Sequence, residues 1–145
     1  MKVLIQRSQR ASVSVNDCVI GQIDHGLVLL TGIEKHDTET HVKKMAERVL
    51  SYRIFSDELG KMNLNVQKVE GGLLVISQFT LAANTQKGLR PSFSEAAPPE
   101  KAKQLFHSFV EALRAQYPRI ETGEFAADMK VALVNDGPVT FMLEN

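Results

Sequence analysis

The sequence predicts an α+β domain, several antiparallel strands with two amphipathic helices over one face of their sheet. Three observations carry this reading. The first third consists of short apolar or alternating runs separated by turn residues. Two later segments repeat apolar residues at helical spacing. The C-terminal part returns to strand-like runs around Asp136-Gly137-Pro138. So many hairpin signals near the start argue against a wholly parallel sheet.

In order along the chain, Val3 to Gln6 reads as a short apolar strand. Ser12-Val13-Ser14-Val15 alternates, which puts both valines on one face of a second strand. Asn16-Asp17 is a turn, and Cys18 to Ile23 is the returning arm. Asp24-His25-Gly26 turns again into Leu27 to Ile33, an apolar run that fits a strand buried on both faces. Asp37 is placed to cap a helix beginning near Thr38. Val42, Met45, Ala46, Val49 and Leu50 form its apolar stripe. Ser56 to Asn65 reads as a loop, and Leu73 to Phe79, after Gly71-Gly72, as a strand. Ala82 to Ala97 is loop-like. Pro98-Pro99 opens a second helix, because proline fits the first turn. Its buried stripe is Ala102, Leu105, Phe106, Phe109, Val110 and Leu113, and Pro118 follows its end. Val131 to Val134 and Val139 to Leu143 are two last strands.

The chain of 145 residues shows no linker, repeat or low-complexity tract, so residues 1–145 read as one domain. Its 43% hydrophobic share suffices for a core without staples. The single cysteine, Cys18, forms no internal disulfide, which suits a reducing compartment. The N-terminal stretch is too polar beyond Ile5 for a secretory core, and no run is long enough to cross a bilayer. The expectation is a cytoplasmic protein with no membrane contact. Seventeen basic residues balance 17 acidic ones. That argues against wrapping long nucleic-acid backbone, DNA included, but leaves room for a small site gripping one end of an RNA.

Few residues advertise chemistry. His25, His36, His41 and His107 are scattered without zinc-ligand spacing, so neither a metal nor another cofactor is expected. Thr80 lies at the end of an apolar strand and could serve as nucleophile or hydrogen-bond donor. No acid or histidine lies near it in sequence to act as base, and β propensity alone also explains a threonine there. Gly137-Pro138 reads either as a turn that blunts a sheet edge or as a cis bond fixing the direction of its carbonyls. Arg7, Arg10, Lys87 and Arg90 are possible anion contacts, and Phe79 and Phe125 possible stacking faces.

Ser77-Gln78-Phe79-Thr80-Leu81 and Gly137-Pro138-Val139-Thr140 together resemble the two signature motifs of the D-aminoacyl-tRNA deacylases, in order and separation. A related family that acts on other misacylated tRNAs differs at the first motif, where this chain follows the D-specific version. The resemblance implies a homodimer with a β-rich, barrel-like core of mainly antiparallel strands. It implies no cofactor, and as partner the acceptor end of aminoacyl-tRNA. It implies active sites at the subunit interface, each entered by the partner's Gly137-cis-Pro138 turn acting as chiral selector. Ser77, Gln78 and Thr80 would be the catalytic group. Phe79, Phe125, Gly137, Pro138 and Arg7 would bind substrate, with Phe125 against the adenine and Arg7 behind the turn.

The resulting expectation is an editing hydrolase that frees D-amino acids from tRNA and rejects L-aminoacyl esters by collision. Glycine has no side chain to collide, so glycyl-tRNA, including glycine mischarged on tRNA-Ala, should pass. The vicinal ribose 2′-hydroxyl can assist, since Thr80 has no base. The competing readings are a non-catalytic dimeric module binding RNA or a small ligand, and an oligomeric scaffold whose Gly-Pro turn locks an interface.

Overall fold

The computed structural model describes residues 1–86 and 88–145. Strand β1 (Lys2–Val15) is continuous, where the sequence suggests two short strands. The polar stretch between them stays extended because it is paired: Ser8 faces Gly26, and Arg10 faces Val134. Asn16 and Asp17 both take positive φ (49° and 61°), as a two-residue hairpin turn requires. The return arm is β2 (Cys18–Ile23) followed by β3 (Gly26–Gly32). One register runs from Lys2 opposite Gly32 to Val13 opposite Gly21, and it shifts by one residue between Val13 and Ser14, next to the turn. On its other flank β1 pairs with β8 (Lys130–Glu144), antiparallel along almost its whole length. The sequence suggests two strands there as well; the interruption at Asp136–Val139 is a bulge within one strand.

Parallel pairing needs a crossover, and each helix supplies one. Helix α1 (Glu39–Ser51) lies between β3 and β6 (Gly72–Ser77), which pair in parallel. Helix α2 (Pro99–Arg114) lies between β6 and β7 (Ile120–Thr122), also parallel. Strand β7 is three residues long and carries no sequence signal of its own. Two short strands, β4 (Phe55–Ser56) at the start of the expected loop and β5 (Met62–Leu64) within it, form a separate hairpin. Asp57 closes its loop by accepting the Leu59 and Lys61 N–H groups at 2.9 Å each.

Alternation decides which face each residue serves. Leu73 and Val75 of β6 pack under the helices with Leu27, Leu29, Met45 and Phe109. Leu74 and Ile76 face the other way, into a second core with Val13, Ile23 and Val28. The predicted stripes of both helices are buried as read. The sheet curls around the second core, so the architecture is barrel-like with both helices on one face.

Asp37 does not cap α1. Thr38 takes the cap position, and its N–H donates to His41 Nδ1 at 3.1 Å. The buried Asp37 carboxylate instead accepts from the Met1 ammonium and from the Glu34 N–H, both at 2.6 Å. Tertiary charge pairing outweighs the local capping preference.

Candidate functional site

Strand β6 ends at Ser77, two residues before the strand end expected from sequence. Phe79–Ala82 coils into a 3-10 turn. The turn is anchored from below, where the Gln78 N–H donates to the Thr31 carbonyl at 2.7 Å. It can settle there because Gly32 has no side chain; a Cβ at that position would lie 2.9 Å from Leu81 Cβ and 3.1 Å from the Gln78 carbonyl. Thr80 therefore sits in this turn and not on a strand, with its hydroxyl accepting from Gln78 Nε2 at 2.6 Å. Among the described residues no carboxylate or imidazole hydrogen-bonds to it.

A cavity of about 470 Å³ opens beside this turn. Ser77, Gln78 and Phe79 form one wall, the start of α2 (Pro99, Ala102) another, and Phe125 to Met129 a third. Phe125 rests on Phe106 of α2, ring centroids 5.9 Å apart. The following residue, Ala126, is held in the left-handed region at φ 64°, uncommon for a residue with a Cβ. Asp128 is the one acid in the lining, and Lys130 Nζ donates to it at 2.9 Å. Ala97 of the lining and the nearby Glu95 are stitched to the segment that follows β3, through Lys35 N–H to the Glu95 carbonyl (2.9 Å) and Ala97 N–H to the Ile33 carbonyl (3.0 Å). That segment is in turn clamped by Glu34 and Asp37 on the Met1 ammonium. Burial works against the Glu34 carboxylate, but the ammonium and Lys2 outweigh it and hold its pKa below the ordinary 4.5.

A second cluster lies elsewhere on the chain. Gln6 of β1 faces Thr140 and Ser8 faces Asn135, so Asp136 to Val139 loop out opposite Arg7 alone. Within this bulge the Gly137–Pro138 bond is cis, Gly137 has φ 131°, and both residues are exposed. Arg7 underlies it. Its Nε donates to the Asp136 carbonyl at 3.1 Å and its Nη1 to the Ile54 carbonyl at 2.9 Å. Asn135 clips across the bulge, with Oδ1 accepting from the Val139 N–H at 2.9 Å and Nδ2 donating to Thr140 Oγ1 at 2.8 Å.

Thus Ser77, Gln78, Phe79 and Phe125 come together, with Thr80 adjoining them. Arg7, Gly137 and Pro138 form their own group and do not line the cavity of their own chain. Arg10 lies on a shallow groove between β2 and β8, Arg90 is exposed on the loop before α2, and Lys87 lies outside the described residues. His25 bonds the Val69 carbonyl at 2.8 Å, and no trio of His, Cys, Asp or Glu is placed to hold a metal among the described residues. No helix of the described residues is long and apolar enough to cross a membrane. Sequence reasoning gave no role to Gly32, Asn135 or the Ile54 carbonyl. Asn135 opens the segment that carries Gly137-Pro138; the other two carry no signal of their own.

Residues 4–144 match the family model described as D-Tyr-tRNA(Tyr) deacylase. The chain is 61% identical over 145 residues, all of both chains, to a D-aminoacyl-tRNA deacylase of Teredinibacter turnerae. It is 64% identical over 143 residues, 99% of each chain, to one of Saccharophagus degradans. A solved structure named c-Myc DNA Unwinding Element Binding Protein superposes with a TM-score of 0.96 at 40% identity, covering 100% of this chain and 99% of the other. A probable eukaryotic D-amino acid tRNA deacylase shares the fold, with a TM-score of 0.85 at 15% identity over 98% of this chain and 97% of the other.

Proposed function

The chain belongs to the D-Tyr-tRNA(Tyr) deacylase family, and we propose that it hydrolyses the ester of D-aminoacyl-tRNA in the groove beside Ser77 to Thr80. The observation that carries this is the groove itself. It is largely apolar, sized for an aminoacyl nucleoside, and walled by the Ser77–Phe79 segment and Phe125. Phe125 offers a face for adenine, while Ser77, Gln78 and Thr80 offer hydroxyls and an amide at the ester end.

The exposed bulge bearing Gly137 and Pro138 supplies what the groove lacks. In a homodimer it enters the partner's groove, and its fixed carbonyls meet the α-amino group. A D side chain then points outward, and an L side chain meets the main chain of the turn. This is selection by exclusion, and it works whatever the side chain. Glycyl-tRNA passes the same filter and is hydrolysed. Arg7 and Asn135 hold the bulge in shape from below.

Hydrolysis needs no protein nucleophile. The aminoacyl ester is already reactive, and the ribose 2′-hydroxyl next to it can activate water. The turn supplies orientation and donors for the developing oxyanion. With only an amide beside it, Thr80 positions the ester and does not attack it. The reaction takes place in the cytoplasm, where aminoacyl-tRNA is used.

The test is a paired assay with D- and L-tyrosyl versions of one tRNA. Cleavage of the D ester alone is expected. Tight binding with both esters left intact would instead make the chain a non-catalytic RNA-binding module.

A further inference from the structure

We propose that Phe93, together with the outward face of Phe79, seats the base of the nucleotide that precedes the terminal adenosine of the substrate. This rests on the deacylase reading above and extends it past the groove. The two rings lie 5.0 Å apart between centroids with their planes at 52°. Phe79 is 59% exposed and Phe93 40%. Two large aromatic rings side by side in water forgo the burial that their size offers. Phe79 lines the groove and Phe93 does not, so the pair straddles the rim. An aminoacyl nucleoside fills the groove, and the polynucleotide attached to it must leave across that rim.

The platform is held by backbone. Asn84 and Ser92 exchange two main-chain hydrogen bonds at 2.8 and 3.1 Å, and the Ala96 N–H donates to the Phe93 carbonyl at 3.0 Å. Phe93 is therefore fixed from both sides. An aromatic face accepts any base without reading its edge. Such a seat suits an enzyme that must take many tRNAs with a common 3′ end. Arg90 is exposed in the same loop.

The experiment compares two esters, D-tyrosyl-adenosine and the D-tyrosyl ester of the dinucleotide cytidylyl-adenosine, on the wild type, Phe93→Leu and Phe93→Tyr. In the wild type the added nucleotide should lower KM about tenfold, the usual effect of one base–aromatic stack. Phe93→Leu should lose that gain, with kcat and the KM for D-tyrosyl-adenosine unchanged. Phe93→Tyr should keep it. Equal losses on both esters would mean that Phe93 only props Phe79, and would overturn the proposal, as would a wild type that gains nothing from the second nucleotide. A wild type that cleaves neither these esters nor D-tyrosyl-tRNA would defeat the deacylase reading, and this proposal with it.

Discussion

Replacing Arg7 tests how the bulge is held. Its side chain is 13% exposed, and its guanidinium donates to two carbonyls from distant segments, Asp136 and Ile54. A hydrogen bond from a charged donor contributes about 1.5–3 kcal/mol. Arg7→Ala removes both bonds, together with the 3.3 Å ion pair between Nε and the half-exposed Asp136 carboxylate, and leaves two carbonyls to find water at a partly exposed site. The expected cost is about 3 kcal/mol. For a chain of this size that lowers Tm by about 10 °C. An ammonium can reach one carbonyl but not both, so Arg7→Lys should lose about half as much. Thermal and urea denaturation of the three proteins measure the losses, and the D/L assay reads the consequence for selection. A Tm for Arg7→Ala within about 2 °C of the wild type, or a lysine variant as damaged as the alanine one, would refute the two-carbonyl account.

Gly137→Ala places a Cβ 2.7 Å from Val139 Cγ2 and 3.1 Å from Arg7 Nη2, at a φ of 131°. Denaturation should show a loss of about 1–3 kcal/mol, with weaker rejection of L-tyrosyl-tRNA in the same preparation. Thr80→Ala should keep measurable hydrolysis, reduced about tenfold, as the loss of one positioning hydrogen bond implies, whereas a tRNA ending in 2′-deoxyadenosine should resist cleavage; single-turnover rates on both decide. A dead Thr80 variant with normal cleavage of the deoxy substrate would contradict the positioning role. The pKa of Glu34 is lowered on folding, so its ion pair stabilises the protein above the unfolded value near 4.5 and is lost as pH falls through the folded value. Wild-type Tm should therefore fall more steeply below pH 4.5 than that of Glu34→Gln, which differential scanning calorimetry across that range measures.

The helices and the buried faces of β3 and β6 were legible because their apolar periodicities are strong and their stripes are buried as read. The Asn16-Asp17 turn was legible from residue types that tolerate positive φ. What escaped was decided between segments distant in sequence. Arg7 to Arg10 stays in a strand because β3 and β8 flank it. Asp37 abandons its capping role for the Met1 ammonium, which no local window contains. For the site, the Ser77 to Thr80 segment and Phe125 could be named, but the 3-10 turn that carries Thr80 depends on Gly32 leaving space beneath it. The separation of the bulge from its own chain's groove is likewise a property of three-dimensional packing.

Strand β1 is the seam on which the whole sheet closes. One flank is covered by the arm that follows it directly. The other is covered by residues at the far end of the chain, Lys2 by Glu144 and Ser14 by Lys130. Until they arrive, the first strand offers a bare edge, which invites pairing with other chains. The loop carrying Gly137 and Pro138 takes shape in the same event that covers that edge. A chain whose last strand has docked on β1 therefore also has the bulge around Gly137 and Pro138 in place, and one whose last strand has not docked leaves that flank open.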